Sequence, residues 1–186
     1  MTPLLEAALE LQQFFSRQGW QFCIIGGIAL LRWGEPRFTR DVDVTLFSGF
    51  GREDEFITLI LSSGYRGRIP DASEFAQRNR VLLLDSPHGV PIDIALAGLP
   101  FEAMVVERAS LYEFEPGCSL RTCSAEDLIV QKLFAFRTRD LADVETIVLR
   151  QRGLLDWPYI ETQLSPLAEL KDQPEIMDWF SKFRRA

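Results

Sequence analysis

The chain has 186 residues, of which 47% are hydrophobic and 25% are charged, so it can bury a core without disulfides or structural metals. Its net charge of -7 argues against general binding to nucleic acid and favours the collection of divalent cations. Three sparse cysteines indicate a reducing compartment. No apolar run suits a signal peptide or a membrane span, so we expect a cytoplasmic protein with no membrane partner.

The front half of the chain alternates helical and strand patterns. Thr2 and Pro3 are typical of a helix start. Two pairs of β-rich runs flank turn sequences, 86–89 and 116–117, which predicts two hairpins. The predicted elements are, in chain order, a helix to residue 18, a strand over 21–25, a helix over 28–33, a strand over 41–47, a helix over 53–63, strands over 79–85 and 90–97, a helix over 100–108, and strands over 110–114 and 118–122.

The back half has helical spacing throughout. Ser124 and Asp127 resemble a capping box that opens it. The predicted helices cover residues 125–137, 140–151, 156–170 and 174–184. We therefore expect an α+β fold with a mixed α/β sheet, divided into a core over residues 1–123 and a helical region over residues 124–186 that packs on the core.

Asp41-Val42-Asp43-Val44 is the most informative stretch of the sequence. In a strand, alternate side chains face the same way, so Asp41 and Asp43 project together while the valines face the core. Two like charges this close repel, and such a pair favours a bound cation. Mg²⁺ prefers oxygen ligands of this kind. An isolated Asp-x-Asp is nonetheless common on solvated strand edges, so the motif needs support from its surroundings.

Asp93 is the expected third carboxylate. It stands between apolar neighbours in a predicted strand, where burial without a partner would be costly. If that strand lies beside the strand of Asp41 and Asp43, three carboxylates meet and two metal ions can be held in the manner of phosphoryl-transfer sites. The alternative is a satisfied turn acid.

Gly26 and Gly27 follow one predicted strand and precede a helix. Without side chains, their backbone N–H groups can approach a phosphate, and a helix N-terminus favours negative charge. A Gly-Gly pair by itself is more often a turn. Arg40, just before the acidic strand, either neutralises triphosphate or pairs with an acid.

The order of these motifs resembles the polymerase β-type nucleotidyltransferase superfamily. The longer pattern is similar to the AbiEii-type nucleotidyltransferases, which include toxins of abortive-infection and toxin–antitoxin systems. The matching segments are Gly26-Gly27-Ile28-Ala29-Leu30, Arg37-Phe38-Thr39-Arg40-Asp41-Val42-Asp43, Glu126-Asp127-Leu128-Ile129-Val130-Gln131-Lys132-Leu133 and Arg137-Thr138-Arg139-Asp140-Leu141-Ala142-Asp143-Val144.

The resemblance implies transfer of a nucleoside monophosphate from an NTP, with Mg²⁺ or alternatively Mn²⁺ as cofactor. It implies that Gly26 and Gly27 contact triphosphate and that Asp41 and Asp43 bind metal. Asp93 would ligate the catalytic metal or act as a base.

The resemblance also implies roles for the helical region. Lys132 would pair with phosphate, and Asp143 matches a recurring acid. The alternatives are a solvated lysine and an acid that stabilises a helix dipole. The stretch 138–140 is expected to break the helix of Lys132, with Asp140 as the cap of the next helix.

The acceptor stays open at this point: an RNA or tRNA end, a protein, or a small molecule such as an antibiotic. A cognate antitoxin or a second copy of the chain is the expected partner. The competing hypothesis is a non-catalytic nucleotide-binding module of a complex.

Overall fold

The computed structural model describes residues 1–185, which form two compact units. The first unit comprises residues 1–28 and 38–123. The second comprises residues 29–37 together with the chain from Ser124 onward. The expected division into domains at residue 123 stays a prediction.

One mixed sheet organises the first unit. Its strands are ordered β3-β4-β5-β2-β1-β7-β6. The β2–β5 and β1–β7 pairs are parallel, and the other neighbours are antiparallel. The strands are β1 (Phe22–Ile24), β2 (Val42–Phe47), β3 (Arg66–Gly67), β4 (Val81–Asp85), β5 (Pro91–Ala97), β6 (Ser110–Glu115) and β7 (Cys118–Thr122). The predicted mixed sheet and both predicted hairpins are confirmed.

Helices pack the apolar side chains of this sheet into a core. They are α1 (Pro3–Arg17), α3 (Glu53–Ser62), α4 (Ala72–Asn79) and α5 (Pro100–Glu107), while α2 (Gly26–Trp33) begins at the end of the first unit. The Thr2 hydroxyl accepts a hydrogen bond from the Leu5 amide, which explains why α1 starts where the sequence predicted. Phe15, Leu46 and Ile94 are among the fully buried residues of the core.

The sequence pattern did not predict α4 or β3. α4 has eight residues and buries Ala72 and Ala76, so it carries few apolar side chains from which a pattern could be recognised. Its N-cap, Asp71, has a left-handed φ of 55° and makes no side-chain cap hydrogen bond. A helix this short is held by its neighbours, which a local pattern does not reveal.

The second unit is helical, as predicted. It contains α6 (Ala125–Ala135), α7 (Thr138–Arg150), α8 (Trp157–Leu170) and α9 (Glu175–Arg185). Ser124 is the N-cap of α6, as expected: the Asp127 amide donates to the Ser124 hydroxyl, and that hydroxyl donates to the Asp127 carboxylate in place of the backbone amide of a full capping box. No helix among residues 1–185 is both long and apolar enough to cross a bilayer.

The junction between α6 and α7 differs from expectation. α6 ends at Ala135 because Phe136 takes a left-handed φ of 59°, and α7 begins at Thr138 with Arg137 at the N-cap. Asp140 therefore lies in the first turn of α7, and the prediction that it caps the helix is wrong.

Residues 29–37 are attached to α7 by specific contacts. The Glu35 amide donates to the Thr146 hydroxyl at 3.2 Å, and Arg150 donates to the Gly34 carbonyl. A Cβ atom at Gly34 would overlap Leu30 and Thr146, so only glycine allows this close approach. The segment thus behaves as part of the helical unit.

Candidate active site

Three carboxylates meet at one end of the two central strands. β2 and β5 are parallel neighbours, and Asp43 lies directly opposite Asp93 in their register. Asp41 immediately precedes β2. One carboxylate oxygen from each residue lies within 4.8 Å of the other two, and all three residues are half-buried. The expected approach of Asp93 to Asp41 and Asp43 across adjacent strands is therefore present.

Strand periodicity explains why these acids face one another. Val42 and Val44 in β2 are buried on the core side of the sheet, and Ile92 and Ile94 are buried in β5. Because side chains alternate along a strand, Asp43 and Asp93 must face the opposite side. The hydrophobic core on one face thus fixes the carboxylates on the other.

The first two residues of α2, Gly26 and Gly27, lie against the carboxylates. Gly26 has a φ of +58°, and a Cβ atom there would overlap the Asp43 carboxylate. The Gly27 amide lies 3.4 Å from Asp43 Oδ2 and points toward it as a donor. Side chains of the acidic strand therefore occupy the space that the glycines leave open.

Thr39 packs against Gly27. A Cβ atom at Gly27 would overlap the Thr39 side chain. The Thr39 hydroxyl donates to Asp41 Oδ1 at 3.0 Å, which orients that carboxylate. The sequence motif contained Thr39, but its neighbours gave no sign of this positioning contact.

The charge balance of the cluster suits a divalent cation. Two unit charges at 4.8 Å, the upper limit of the separations between these oxygens, repel by about 1 kcal/mol in water and by about 3–4 kcal/mol at the effective dielectric constant near a protein surface. A hard cation such as Mg²⁺ takes oxygen ligands at about 2.1 Å. Three oxygen donors in a set this compact fit such an ion with small side-chain rotations.

Arg68 also belongs to the cluster, and the sequence did not indicate it. Its Nη2 atom donates to Asp93 Oδ1 at 2.5 Å. Arg68 follows β3, a strand of two residues that had not been predicted. Only knowledge of the strand order would have placed this arginine beside the acids.

In the part of the chain that the structure describes, Arg40 is not ion-paired with the carboxylates. It is exposed, and its guanidinium carbon lies 5.4 Å from the centroid of the Phe38 ring. Phe38 is itself 72% exposed. The two residues form a cation–π pair at the entrance to β2.

Lys132 and Asp143 meet in the helical unit. The Lys132 ammonium donates to Asp143 at 2.6 Å and to Asp140 at 3.3 Å. Arg37 donates two hydrogen bonds of 2.8 Å to Asp143, and Arg137 donates to Asp140 at 2.6 Å. Lys132 is 6% exposed, so it is neither the solvated lysine nor a free ammonium.

Asp143 has a shifted pKa. Burial alone would raise the pKa of its carboxyl group, but hydrogen bonds and charge from Arg37 and Lys132 outweigh burial and hold it below its ordinary value. Asp143 is therefore a stable anion. Its position in the second turn of α7 rules out the alternative role of a first-turn dipole acid.

The structure thus sorts the predicted site residues into two groups. Gly26, Gly27, Asp41, Asp43 and Asp93 lie together in the first unit. Lys132 and Asp143 lie together in the second unit and bind each other.

The fold is that of nucleotidyltransferases, as comparison with solved structures shows. An antigenic nucleotidyltransferase-like protein from Paracoccidioides brasiliensis has 16% sequence identity and a TM-score of 0.53, with 95% of this chain and 91% of that chain covered. The lincosamide antibiotic adenylyltransferase LnuA, bound to lincomycin, has 13% identity and a TM-score of 0.52, with 76% and 94% covered. ANT(2'')-Ia in complex with adenylyl-2''-tobramycin has 19% identity and a TM-score of 0.50, with 97% of each chain covered.

Sequence comparison defines the family. A family model described as nucleotidyl transferase AbiEii toxin, type IV toxin–antitoxin system, matches residues 11–156. The chain therefore belongs to the AbiEii family of nucleotidyltransferases, and the predicted resemblance is confirmed. No curated protein sequence matches the chain significantly.

Proposed function

We propose that this protein transfers a nucleoside monophosphate from an NTP to a hydroxyl acceptor at the carboxylate cluster. The observation that carries the proposal is that oxygens of Asp41, Asp43 and Asp93 lie within 4.8 Å of one another beside Gly26 and Gly27, at the start of α2. Membership in a nucleotidyltransferase family supports the reaction class.

The reaction exchanges one phosphorus–oxygen bond for another. The acceptor oxygen bonds to the α-phosphorus, the bond from that phosphorus to the bridging oxygen breaks, and pyrophosphate leaves. Most of the catalytic effect in such reactions comes from positioning and from neutralisation of charge. Divalent cations, once bound, would supply that neutralisation and polarise the phosphoryl oxygens.

The chain's own residues hold and orient the components. We assign Asp41 and Asp43 to metal binding and Asp93 to a metal or to the proton of the acceptor hydroxyl. Thr39 orients Asp41, while the Gly27 amide orients Asp43. Arg40, exposed beside this entrance, is a candidate contact for triphosphate.

A role for Lys132 and Asp143 in nucleotide binding stays a prediction. The Lys132 ammonium already satisfies two carboxylates, so a direct phosphate contact would require it to leave at least one of them. In the present conformation the two residues form an ion pair with each other within the helical unit.

Loss of one carboxylate tests the proposal. Purified protein is incubated with each labelled NTP, Mg²⁺ and cell lysate, and label is followed into RNA, protein and small molecules. We expect Asp43→Asn and Asp93→Asn to reduce transfer by at least about a hundredfold, because each removes a charged ligand. Asp85→Asn, an acid of the same sheet outside the cluster, should retain activity.

The outcome also separates the alternatives. If the wild type transfers nucleotide and the Asp43→Asn variant transfers it equally well, the site assignment is refuted. NTP binding without transfer to any acceptor would favour the non-catalytic module. Lincomycin and tobramycin are included as acceptors because structural neighbours carry lincomycin and adenylyl-tobramycin.

The family's printed description motivates a second assay. If the protein is a toxin of a type IV system, its induction in a bacterial host should slow growth, and Asp43→Asn should abolish that effect. A cognate antitoxin is then the proposed partner.

A further inference from the structure

We propose that Arg68 is a built-in counter-cation of the carboxylate cluster, which holds Asp93 in the metal-free protein and competes with the divalent cation for it. The inference rests on the proposed function and adds control of metal binding at that same site. The contact that motivates it is the 2.5 Å ion pair between Arg68 Nη2 and Asp93 Oδ1.

The register of three strands places Arg68 beside the acids. The Arg68 amide donates to the Leu83 carbonyl at 3.0 Å, just beyond β3. Leu83 in β4 lies directly opposite Asp93 in β5. Adjacent strands are about 4.8 Å apart, so the Arg68 backbone lies two strand spacings from Asp93. Its long side chain reaches across β4 on the face that carries the carboxylates.

The electrostatics of the cluster explain what this arginine does. Three carboxylates within 4.8 Å repel one another, and one guanidinium offsets part of that repulsion when no metal is bound. A metal ion brings two positive charges to the same oxygens, so the guanidinium and the ion disfavour each other. Arg68 therefore lowers the affinity for the first divalent cation.

The pair is weak enough to be displaced. The side chains of Arg68 and Asp93 are 31% and 32% exposed, so water screens their attraction. Arg68 stands beside a strand of only two residues at the edge of the sheet, where little packing restrains it. A metal ion can thus take Asp93 without disturbing the core.

Mn²⁺ binding in the absence of nucleotide tests the inference. Free Mn²⁺ is measured by its electron paramagnetic resonance signal during titration of the full-length protein. We expect Arg68→Gln to lower the Kd for Mn²⁺ by about fivefold, the effect of one screened ion pair. Arg68→Lys keeps the charge and should stay close to the wild type.

Arg66→Gln is the matched control. Arg66 lies in β3 opposite Asp85, and within residues 1–185 the ion pair to Asp93 is made by Arg68 instead, so this variant removes the same charge without the contact. It should leave the Kd for Mn²⁺ unchanged. Thermal melting of each variant verifies that it is folded.

The outcomes distinguish this inference from the proposed function. If the wild type binds Mn²⁺, Asp43→Asn abolishes binding and Arg68→Gln leaves the Kd unchanged or raises it, only the role of Arg68 is overturned. If the wild type binds no Mn²⁺, the metal site of the proposed function is overturned together with it. If Arg66→Gln tightens binding as much as Arg68→Gln, the effect is one of net charge and the specific contact is refuted.

Discussion

At the scale of single residues, the candidate site depends on what is absent at Gly26. Its left-handed φ of +58° places the backbone under the Asp43 carboxylate, where any side chain would collide. The glycine pair was expected to leave room for triphosphate. In the structure, the Asp43 side chain occupies the space beside Gly26 and the Thr39 side chain occupies the space beside Gly27. The glycines therefore allow Asp43 and Thr39 to pack closely against the backbone of α2.

We expect Gly26→Ala to reduce nucleotide transfer by roughly a hundredfold, because displacement of a catalytic group by about 1 Å has effects of this size. The left-handed backbone should also cost about 1–3 kcal/mol of unfolding free energy. Transfer of labelled nucleotide and urea denaturation measure the two effects.

Gly89→Ala is the control for that experiment. Gly89 has a φ of +78° with no atom near the position of a Cβ, so the substitution adds backbone strain without a collision. It should lower stability by a similar amount and leave transfer intact. Equal losses of transfer in the two variants would show that backbone strain is responsible, and not displacement of the Asp43 carboxylate from Gly26.

At the scale of elements, ion pairs centred on three buried side chains connect α6, α7 and residues 29–37 within the helical unit; the three are Lys132, Asp140 and Asp143. Asp143 accepts from Lys132 of α6 and from Arg37, while Asp140 accepts from Lys132 and Arg137. Buried ion pairs are costly to form, but removal of one partner leaves the remaining buried charge without a counter-charge. This network should therefore be sensitive to single substitutions.

We expect Asp143→Asn to lower the free energy of unfolding by about 3 kcal/mol at pH 7, because Lys132 and Arg37 lose a buried anion. The pKa of Asp143 is lowered in the folded state. Its stabilising contribution is thus present above the ordinary Asp pKa of about 3.9 and is lost as pH falls through the lower folded value.

Urea denaturation at pH 7 and at pH 3 measures that dependence. The stability difference between wild type and Asp143→Asn should narrow at the lower pH. Glu145→Gln, an exposed acid on the same helix, should show little difference at either pH. A difference for Asp143→Asn that is unchanged between the two pH values would contradict the ion-pair explanation.

At the scale of the whole molecule, the net charge of -7 limits the kind of acceptor that the protein can recruit. Binding to nucleic acid that does not depend on sequence comes almost entirely from contacts of basic groups with phosphates. An RNA acceptor would thus have to be recognised by a local site, since general attraction is lacking.

We expect no binding of generic double-stranded RNA at protein concentrations below about 10 µM in 150 mM salt, because typical nonspecific binding requires a basic surface. A mobility-shift titration measures this, with a basic RNA-binding protein as the positive control. Micromolar or tighter binding that weakens steeply with salt would show a basic face and would favour a polynucleotide acceptor.

The sequence by itself determined the parts of the protein that depend on local periodicity. Alternation in β2 and β5 predicted both strands, and the buried valines and isoleucines made the acids face the other side. Ser124 and Asp127 predicted the start of the helical region, because a cap acts over three residues. The order of glycines and acids also indicated the superfamily, and the longer pattern through residues 126–133 and 137–144 indicated the family.

Only the tertiary structure decided which residues that are distant in sequence contact each other. Arg68 and Asp93 are 25 positions apart, and Arg37 and Asp143 are 106 apart. Contacts over such separations depend on strand order and helix packing, which no local pattern encodes. The carboxylates were therefore predictable as a group, whereas the guanidinium that neutralises one of them was not.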